Sequence, residues 1–485
     1  MAARSRPSCD PPSDPAELGV LEAAAALAER RLSALELTEA CLRRIEERNG
    51  GPPSFDGAAD AINAWVRVYP ELALEQARAA DDRRAAEGEA APLLCGIPVG
   101  LKDLYAVAGL PLTASSRVLE GNVAARDAAV WARLRDAGMV LLGHTHTHEF
   151  AAGGTTDQVG NPWALELTAG GSSGGSAAAL AARMVPAALG SDTCGSLRIP
   201  SACCGTATIK PTHGRLPLAG IIPLAPSLDH PGPMARTVAD CAALLEAMAA
   251  GEQETTPLSP PPAPLAALPH APRAAPRPLA GVRIALTERP ERAGLEPAVA
   301  EGFERAQRAC EQLGAELIER PAPAALDWND LAAVLRAEAW HYHRRHAERH
   351  ALYRPAIAEY VEAAAAFADV QAYVGAQLAR ARLTRAWERW FLEERVDLIL
   401  EPTLPIVPYR RGAGYERGHA GGPGDPMIAL SALWDMTGMP VASLPVSWQV
   451  GVSLIAPRGR EVALAQVAID LQEHELGVPA WPASG

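Results

Sequence analysis

Apolar and polar residues fall into two rhythms along this chain. From Leu18 to Glu29 apolar positions recur at helical spacing. A second helix is predicted from Ala34 to Glu47, with Ser33 at its N-cap and Glu36 at the capping-box position. Ala61 to Tyr69 alternates like a strand, and Ala73 to Glu87 returns to the helical period. Gly96-Ile97-Pro98-Val99-Gly100-Leu101-Lys102-Asp103 reads as a buried strand that ends at the lysine. Further on, Ala128–Ala137 is predicted helical, Met139–Gly143 a short buried strand, and Ser176–Met184 a helix with alanine at nearly every turn.

Glu252 to Pro278 is rich in Pro and Ala and has no period, so it reads as an extended surface linker. Beyond it come a strand (Val282–Leu286), a helix (Pro297–Leu313), a long helical region (Trp328–Glu394) and a strand (Val396–Ile399) leading into Glu401-Pro402-Thr403-Leu404-Pro405. Strands and helices alternate on both sides of the linker. This favours one α/β layer structure, a single large domain over residues 16–478 with a central mixed sheet, interrupted but not divided. Residues 1–15 read as a flexible N-terminal segment.

Composition changes little in that picture. The chain has 485 residues, 48% of them hydrophobic and 21% charged, which is ordinary for a globular protein. A net charge of −13 argues against a nucleic-acid-binding surface. There is no apolar run of membrane-spanning length, and Met1–Pro15 lacks the apolar core of a signal peptide. The eight cysteines form no CxxC pair, and several sit in apolar surroundings. A reduced, cytoplasmic protein is expected.

Chemistry concentrates in two Gly/Ser strings that bracket one short helix. They are Gly170-Gly171-Ser172-Ser173-Gly174-Gly175-Ser176 and Gly190-Ser191-Asp192-Thr193-Cys194-Gly195-Ser196. Cleaving an amide needs a nucleophile, a proton carrier and donors for the developing oxyanion. Glycine-rich loops suit the last need, because backbone approaches a ligand only where side chains are absent. Thr193 to Ser196 is such a loop, and in the first string the glycines let Ser172 and Ser173 point inward. Ser176 is expected near the helix start as a hydroxyl cap. A phosphate-binding loop competes for the first string alone, but that string lacks a GK[ST] ending, and no GxGxxG follows a strand. Most lysines are solvated. Lys102, at the end of a buried strand, is partly desolvated, which favours the neutral amine able to act as a base.

These stretches resemble the amidase signature family. The resemblance runs through Gly96–Pro111 (GIPVGLKDLYAVAGLP), Arg126–Gly143, Thr145–Phe150, Asn161-Pro162-Trp163 and Gly170–Thr212. It continues through Gly214–Met248, with Ser227-Leu228-Asp229-His230, and more weakly to Pro402-Thr403 and Thr437–Pro440. It implies a Ser–Ser–Lys triad: Ser196 as nucleophile, Ser172 as the bridging serine after a cis peptide bond, and Lys102 as base. It also implies an oxyanion hole from the N–H groups of Thr193, Cys194, Gly195 and Ser196. Ser173 is expected to support the triad by hydrogen bonding, and Asp192 and Arg198 to brace the loop as an ion pair, with a structural role. No cofactor and no metal is implied.

The chain departs from the family at several points. Cys194 stands where the family has Gly, which narrows the space beside the nucleophile. It still leaves an N–H available and occupies an oxyanion-donor position, not the nucleophile's. His144, His146 and His148 would share one face of an extended strand, a geometry open to metal, although a loop with one structural histidine is the favoured reading. His343, His346 and His350 share a helical face that neighbouring arginines mark as solvated. Cys203 and Cys204 are expected to pack beneath the loop.

The leading expectation is a stand-alone amidohydrolase for small-molecule amides. One alternative is cleavage of carbamates, urethanes or esters on the same triad. Another is the glutamine-hydrolysing subunit of a tRNA-dependent amidotransferase, although the wording SLDHPG at 227–232 looks more like stand-alone amidases. The leading view carries a small-molecule amide or carbamate as partner, no nucleic acid and no membrane, and allows a homodimer.

Overall fold

The computed structural model describes residues 14–250, 265–292, 294–367, 369–412 and 425–480. Among the described residues thirteen strands are formed: β1 (Trp65–Val68), β2 (Pro98–Lys102), β3 (Val140–Thr145), β4 (Gly160–Asn161), β5 (Ala164–Thr168), β6 (Ala187–Asp192), β7 (Ala207–Lys210), β8 (His230–Ala235), β9 (Arg283–Glu288), β10 (Glu316–Pro321), β11 (Leu398–Pro402), β12 (Val441–Pro445) and β13 (Gly451–Ile455). Eleven of them build one mixed sheet in the order β1-β3-β2-β6-β8-β7-β12-β13-β11-β9-β10, and β4 and β5 pair separately. Strands from before and after the Pro/Ala-rich stretch thus share one sheet, in a single large α/β domain flanked by helices.

Helices follow the predicted periodicity, with shifted ends. Ser33 caps Ala34–Arg48, accepting the Glu36 N–H while Glu36 reaches back to the Ser33 N–H. The long helical region resolves into Trp328–His343, Pro355–Ala365 and Val370–Glu393, with a tighter 3-10 stretch at 344–352. Part of the predicted linker, 252–264, lies outside the described residues. The remainder, 265–278, has no helix or strand and is tied down by Arg273, whose N–H and guanidinium both donate to Asp470.

The Ala-rich helix runs from Gly174 to Ala181 and is buried throughout. It begins two residues earlier than predicted, so Ser176 is no cap. Its hydroxyl instead donates to the Leu189 carbonyl and bonds Thr145 Oγ1 at 2.7 Å, stitching helix to sheet. A Cβ on Gly175 would lie 2.4 Å from the His146 nitrogen, so only glycine allows this close approach. The cysteines at 41, 95, 194, 203, 204, 241 and 310 are all free and buried. Among the described residues, no helix is long and apolar enough to cross a membrane.

β2 and β6 are parallel neighbours, with Leu101 opposite Leu189. Their C-terminal ends therefore reach the same edge of the sheet. This puts Lys102, the last residue of β2, beside the Gly190–Ser196 string that leaves β6.

Candidate active site

Lys102 is fully buried. Burial pushes its amine from 10.5 down to about 7, against the opposing pull of the Asp192 and Asp229 carboxylates. Its Nζ lies 2.7 Å from Ser172 Oγ and 2.9 Å from Ser191 Oγ.

The Gly171–Ser172 peptide bond is cis. The Ser172 carbonyl accepts from the His148 N–H and from the Thr156 hydroxyl, which pins the first string. The Ser173 N–H donates to the Ser196 carbonyl at 3.2 Å and so ties the two strings together. Ser173 Oγ donates to the Ser191 carbonyl and accepts the Ser191 N–H, both at 3.3 Å. Among the described residues no hydrogen bond joins Ser172 Oγ to Ser196 Oγ. Lys102, Ser172, Ser173 and the Gly190–Ser196 string are thus gathered at one point.

Asp192 and Arg198 form the expected buried pair, with Arg198 Nε 2.9 Å from Asp192 Oδ2. Burial pushes the Asp192 carboxyl up, but the Arg198 guanidinium outweighs it and holds the group at about 2. Asp192 also accepts the N–H groups of Gly195 and Leu197, and through them it shapes the loop. That contact corrects one expectation. The Gly195 N–H, expected among the oxyanion donors, donates to the Asp192 carboxylate. Among the described residues, no acceptor takes the N–H groups of Thr193, Cys194 and Ser196. Gly195 itself has φ +130, and a Cβ there would meet Ser431 Oγ at 2.3 Å. Glycine is required here by conformation and by space.

Four residues complete the site without having been assigned a role from sequence. Ser191 holds the lysine. Strand alternation sends Ser191 toward Lys102 and Asp192 toward Arg198, which was the available signal. Asp229 accepts from Thr193 Oγ1 at 2.6 Å and from the Leu224 and Ala225 N–H groups. Asp435 accepts from Arg198 at 2.5 Å, and the Ser431 hydroxyl caps the Cys194 carbonyl. More than 230 residues separate these last two from their partners, beyond the reach of any local pattern.

Two of the three tract histidines are hydrogen-bonded within the fold. The His144 ring bonds the Tyr69 hydroxyl and the Tyr105 carbonyl, and the His146 ring bonds the Ser54 carbonyl and the Ser115 hydroxyl. No group of three metal-ligating side chains occurs among the described residues. His343 is buried, not solvated as its arginine neighbours suggested: it bonds the Tyr353 hydroxyl at 2.7 Å and packs edge-on against Phe150.

Ser196 opens onto a narrow cavity of about 20 Å³, about the room one water needs. Ala151, Ala152, Leu224, Leu335, Tyr360 and Ile428 form its walls, with Thr193 and Cys194 beside the serine. Burial keeps the Cys194 thiol far above its ordinary range, hence protonated. No lining side chain among the described residues carries a charge.

Comparison with known proteins agrees with this architecture. The family model described as Amidase matches residues 36–465. A glutamyl-tRNA(Gln) amidotransferase subunit of Azotobacter vinelandii is 37% identical over 497 residues, covering 94% of this chain and 97% of that relative. Among solved structures, one described as an amidase superposes with a TM-score of 0.79 at 27% identity, over 95% of this chain and 100% of the other. The corresponding glutamyl-tRNA(Gln) amidotransferase subunit of Thermotoga maritima superposes with a TM-score of 0.72 at 27% identity, over 96% of each chain. With the family model spanning most of its length, the chain belongs to the amidase family, the amidase-signature enzymes that act on carbon–nitrogen bonds.

Proposed function

We propose that this enzyme hydrolyses the C–N bond of amides with a short, uncharged acyl group, through an acyl-enzyme on Ser196. The observation that carries the reading is the buried Lys102 amine, hydrogen-bonded at 2.7 Å to Ser172, whose neighbour Ser173 is tied through its N–H to the Ser196 carbonyl. An amine brought down to about 7 is substantially neutral at physiological pH and can take a proton. In the proposed cycle Ser196 Oγ attacks the carbonyl and passes its proton to Ser172, whose own proton goes to Lys102. The relay then reverses to protonate the leaving nitrogen, and water cleaves the acyl-enzyme. The N–H groups of Thr193, Cys194 and Ser196 are the proposed oxyanion donors, each worth roughly 10²–10³ in rate in a comparable setting. Asp192, Arg198 and Ser173 hold the loop in place.

The substrate class follows from the walls. They are apolar and narrow and offer no charge to pair with a charged acyl group. Burying an unpaired charge there is costly.

A second reading is favoured by the curated relatives, whose names describe one of the subunits of a glutamyl-tRNA(Gln) amidotransferase. Those names weigh toward the glutamine-hydrolysing subunit more than toward a stand-alone amidase. They also weigh against a chain that meets small molecules alone and no nucleic acid. On this reading the substrate is glutamine, whose α-ammonium and α-carboxylate need charged partners.

Ammonia release by the purified chain from propionamide, butyramide, benzamide and glutamine separates the two, with Ser196→Ala as control. The first reading expects turnover of the uncharged amides by the chain alone and none of glutamine. Glutamine turnover, alone or only after adding partner subunits, with silence on the uncharged amides, overturns it in favour of the second.

A further inference from the structure

A second cavity, of about 290 Å³, shares no lining residue with the cavity at Ser196. One wall is a stripe of the helix Val370–Glu393. Arg380, Thr384, Arg385 and Glu388 follow one another there at helical spacing and so lie on one face. Arg458 and His213 form the facing wall.

The arginines are short of partners. Arg380 is 7% exposed, and Nε alone finds an acceptor, the Met436 carbonyl at 2.9 Å. Arg458 Nε is buried with no hydrogen-bond partner. No ion pair joins Arg380, Arg385 or Arg458 to a carboxylate among the described residues. Glu338 acts on Arg380 only at longer range, because its carboxylate is engaged by Ser227, Tyr373 and Gln377. Burial pushes His213 down to about 3, so its ring is neutral and adds no charge. The lining therefore holds three guanidinium groups against the single carboxylate of Glu388, in a chain whose net charge is −13. Arg380 is buried, Arg458 half-buried and Arg385 exposed at the mouth, so the three guanidinium groups run from the interior to solvent, and an anion with several oxygens can accept their free N–H donors.

We propose that this cavity binds a small phosphate monoester. A phosphate dianion matches the surplus of two positive charges and the fork geometry of guanidinium, where a monocarboxylate leaves one cation uncompensated. The cavity also has room for an organic group beyond the phosphate. A bound ligand would sit close to the active loop. The His213 ring meets the His230 ring edge-on at 5.0 Å, and His230 Nδ1 lies 3.3 Å from the Asp192 carbonyl.

The test is thermal unfolding and calorimetric titration of the full chain with inorganic phosphate and glycerol phosphate, against acetate at equal ionic strength. The expected result is saturable binding and a rise in Tm with both phosphates and none with acetate. Arg385→Gln and Arg458→Gln, both at solvent-reachable positions, should each weaken binding by at least about tenfold while leaving basal hydrolysis unchanged. An equal response to acetate, or unaltered phosphate binding in both variants, overturns the proposal. So does a response to RNA with none to phosphate, which would make the patch part of a nucleic-acid surface.

Discussion

Lys102 closes β2 and Lys210 closes β7. Both are fully buried, and burial brings both amines from 10.5 down to about 7. Their neighbours differ. Lys102 meets two hydroxyls, Ser172 and Ser191, whereas Lys210 meets the carbonyls of Met439 (2.6 Å) and Pro211. A hydroxyl both gives and accepts a proton, so an amine beside it can join a relay. A carbonyl only accepts, so the amine beside it is a fixed strut. Burial alone makes a lysine unusual, and the chemistry of its partners decides whether the unusual state is used.

The most severe way to break this comparison is to remove both kinds of group in turn. Ser196→Ala and Lys102→Met are expected to lower kcat by about 10⁴-fold or more, as loss of a triad member does elsewhere, with the circular dichroism spectrum unchanged. Lys210→Met should instead act on stability. It leaves two buried carbonyls without a donor, at a cost of about 1–3 kcal/mol read from urea midpoints, while kcat/KM stays within an order of magnitude. Comparable kinetic losses in the two lysine variants would erase the distinction.

Stability against pH tests what the pair has in common. Both folded amines titrate near 7 and both unfolded ones near 10.5, so between those values the unfolded chain holds more protons. The stabilising contribution is complete above 10.5 and is lost as pH falls toward 7. Each Lys→Met variant should flatten the rise in stability between pH 7 and 10, measured by urea unfolding at each pH. A slope unchanged in both would mean that neither amine is depressed.

The sequence exposed one lysine and hid the other for a physical reason. Lys102 follows Gly-Ile-Pro-Val-Gly-Leu, an apolar run that is itself the evidence of burial. Lys210 lies in Ile209-Lys210-Pro211-Thr212, too short to show a period, and its acceptor Met439 is 229 residues away. The same rule covers the rest. The capping box at Ser33 and the strand into Lys102 are local and were legible. The Asp435 carboxylate on Arg198, the Ser431 hydroxyl on Cys194 and the burial of His343 against Phe150 come from distant segments and were not. Gly195 misled for a subtler reason: its place in a glycine-rich loop suggested a free N–H, but the Asp192 side chain three residues earlier turns back and takes it.

Ser191→Ala sharpens the comparison on a smaller scale. It removes one of the two hydroxyls on Lys102 and leaves the relay partner Ser172 in place. A hydrogen bond to a group that becomes charged is worth about 1.5–3 kcal/mol, which corresponds to a fall in kcat of about 10–100-fold. Because Ser191 holds the amine and lies outside the relay itself, the loss should appear in kcat with KM little changed. A Ser191→Thr variant, which restores the hydroxyl, should recover part of it.

The smallest effect concerns the charge around Lys102. In the proposed cycle the neutral amine is the active form, so kcat/KM should fall as pH drops through about 7. Asp229 pulls that amine upward in pKa, and its own carboxyl, driven up by burial, titrates near 6. Asp229→Asn keeps one oxygen for the Thr193 hydroxyl and the Ala225 N–H, gives up the second oxygen that accepts the Leu224 N–H, and removes the negative charge. With less to stabilise the ammonium, the lysine becomes neutral at lower pH, and the acidic limb of the profile should move down by a fraction of a unit. A limb that stays fixed in Asp229→Asn, or that moves upward, would show that the titrating group is not Lys102. A limb that moves in Lys210→Met by as much as in Asp229→Asn would show that the two lysines titrate together and that the division between relay and strut is false.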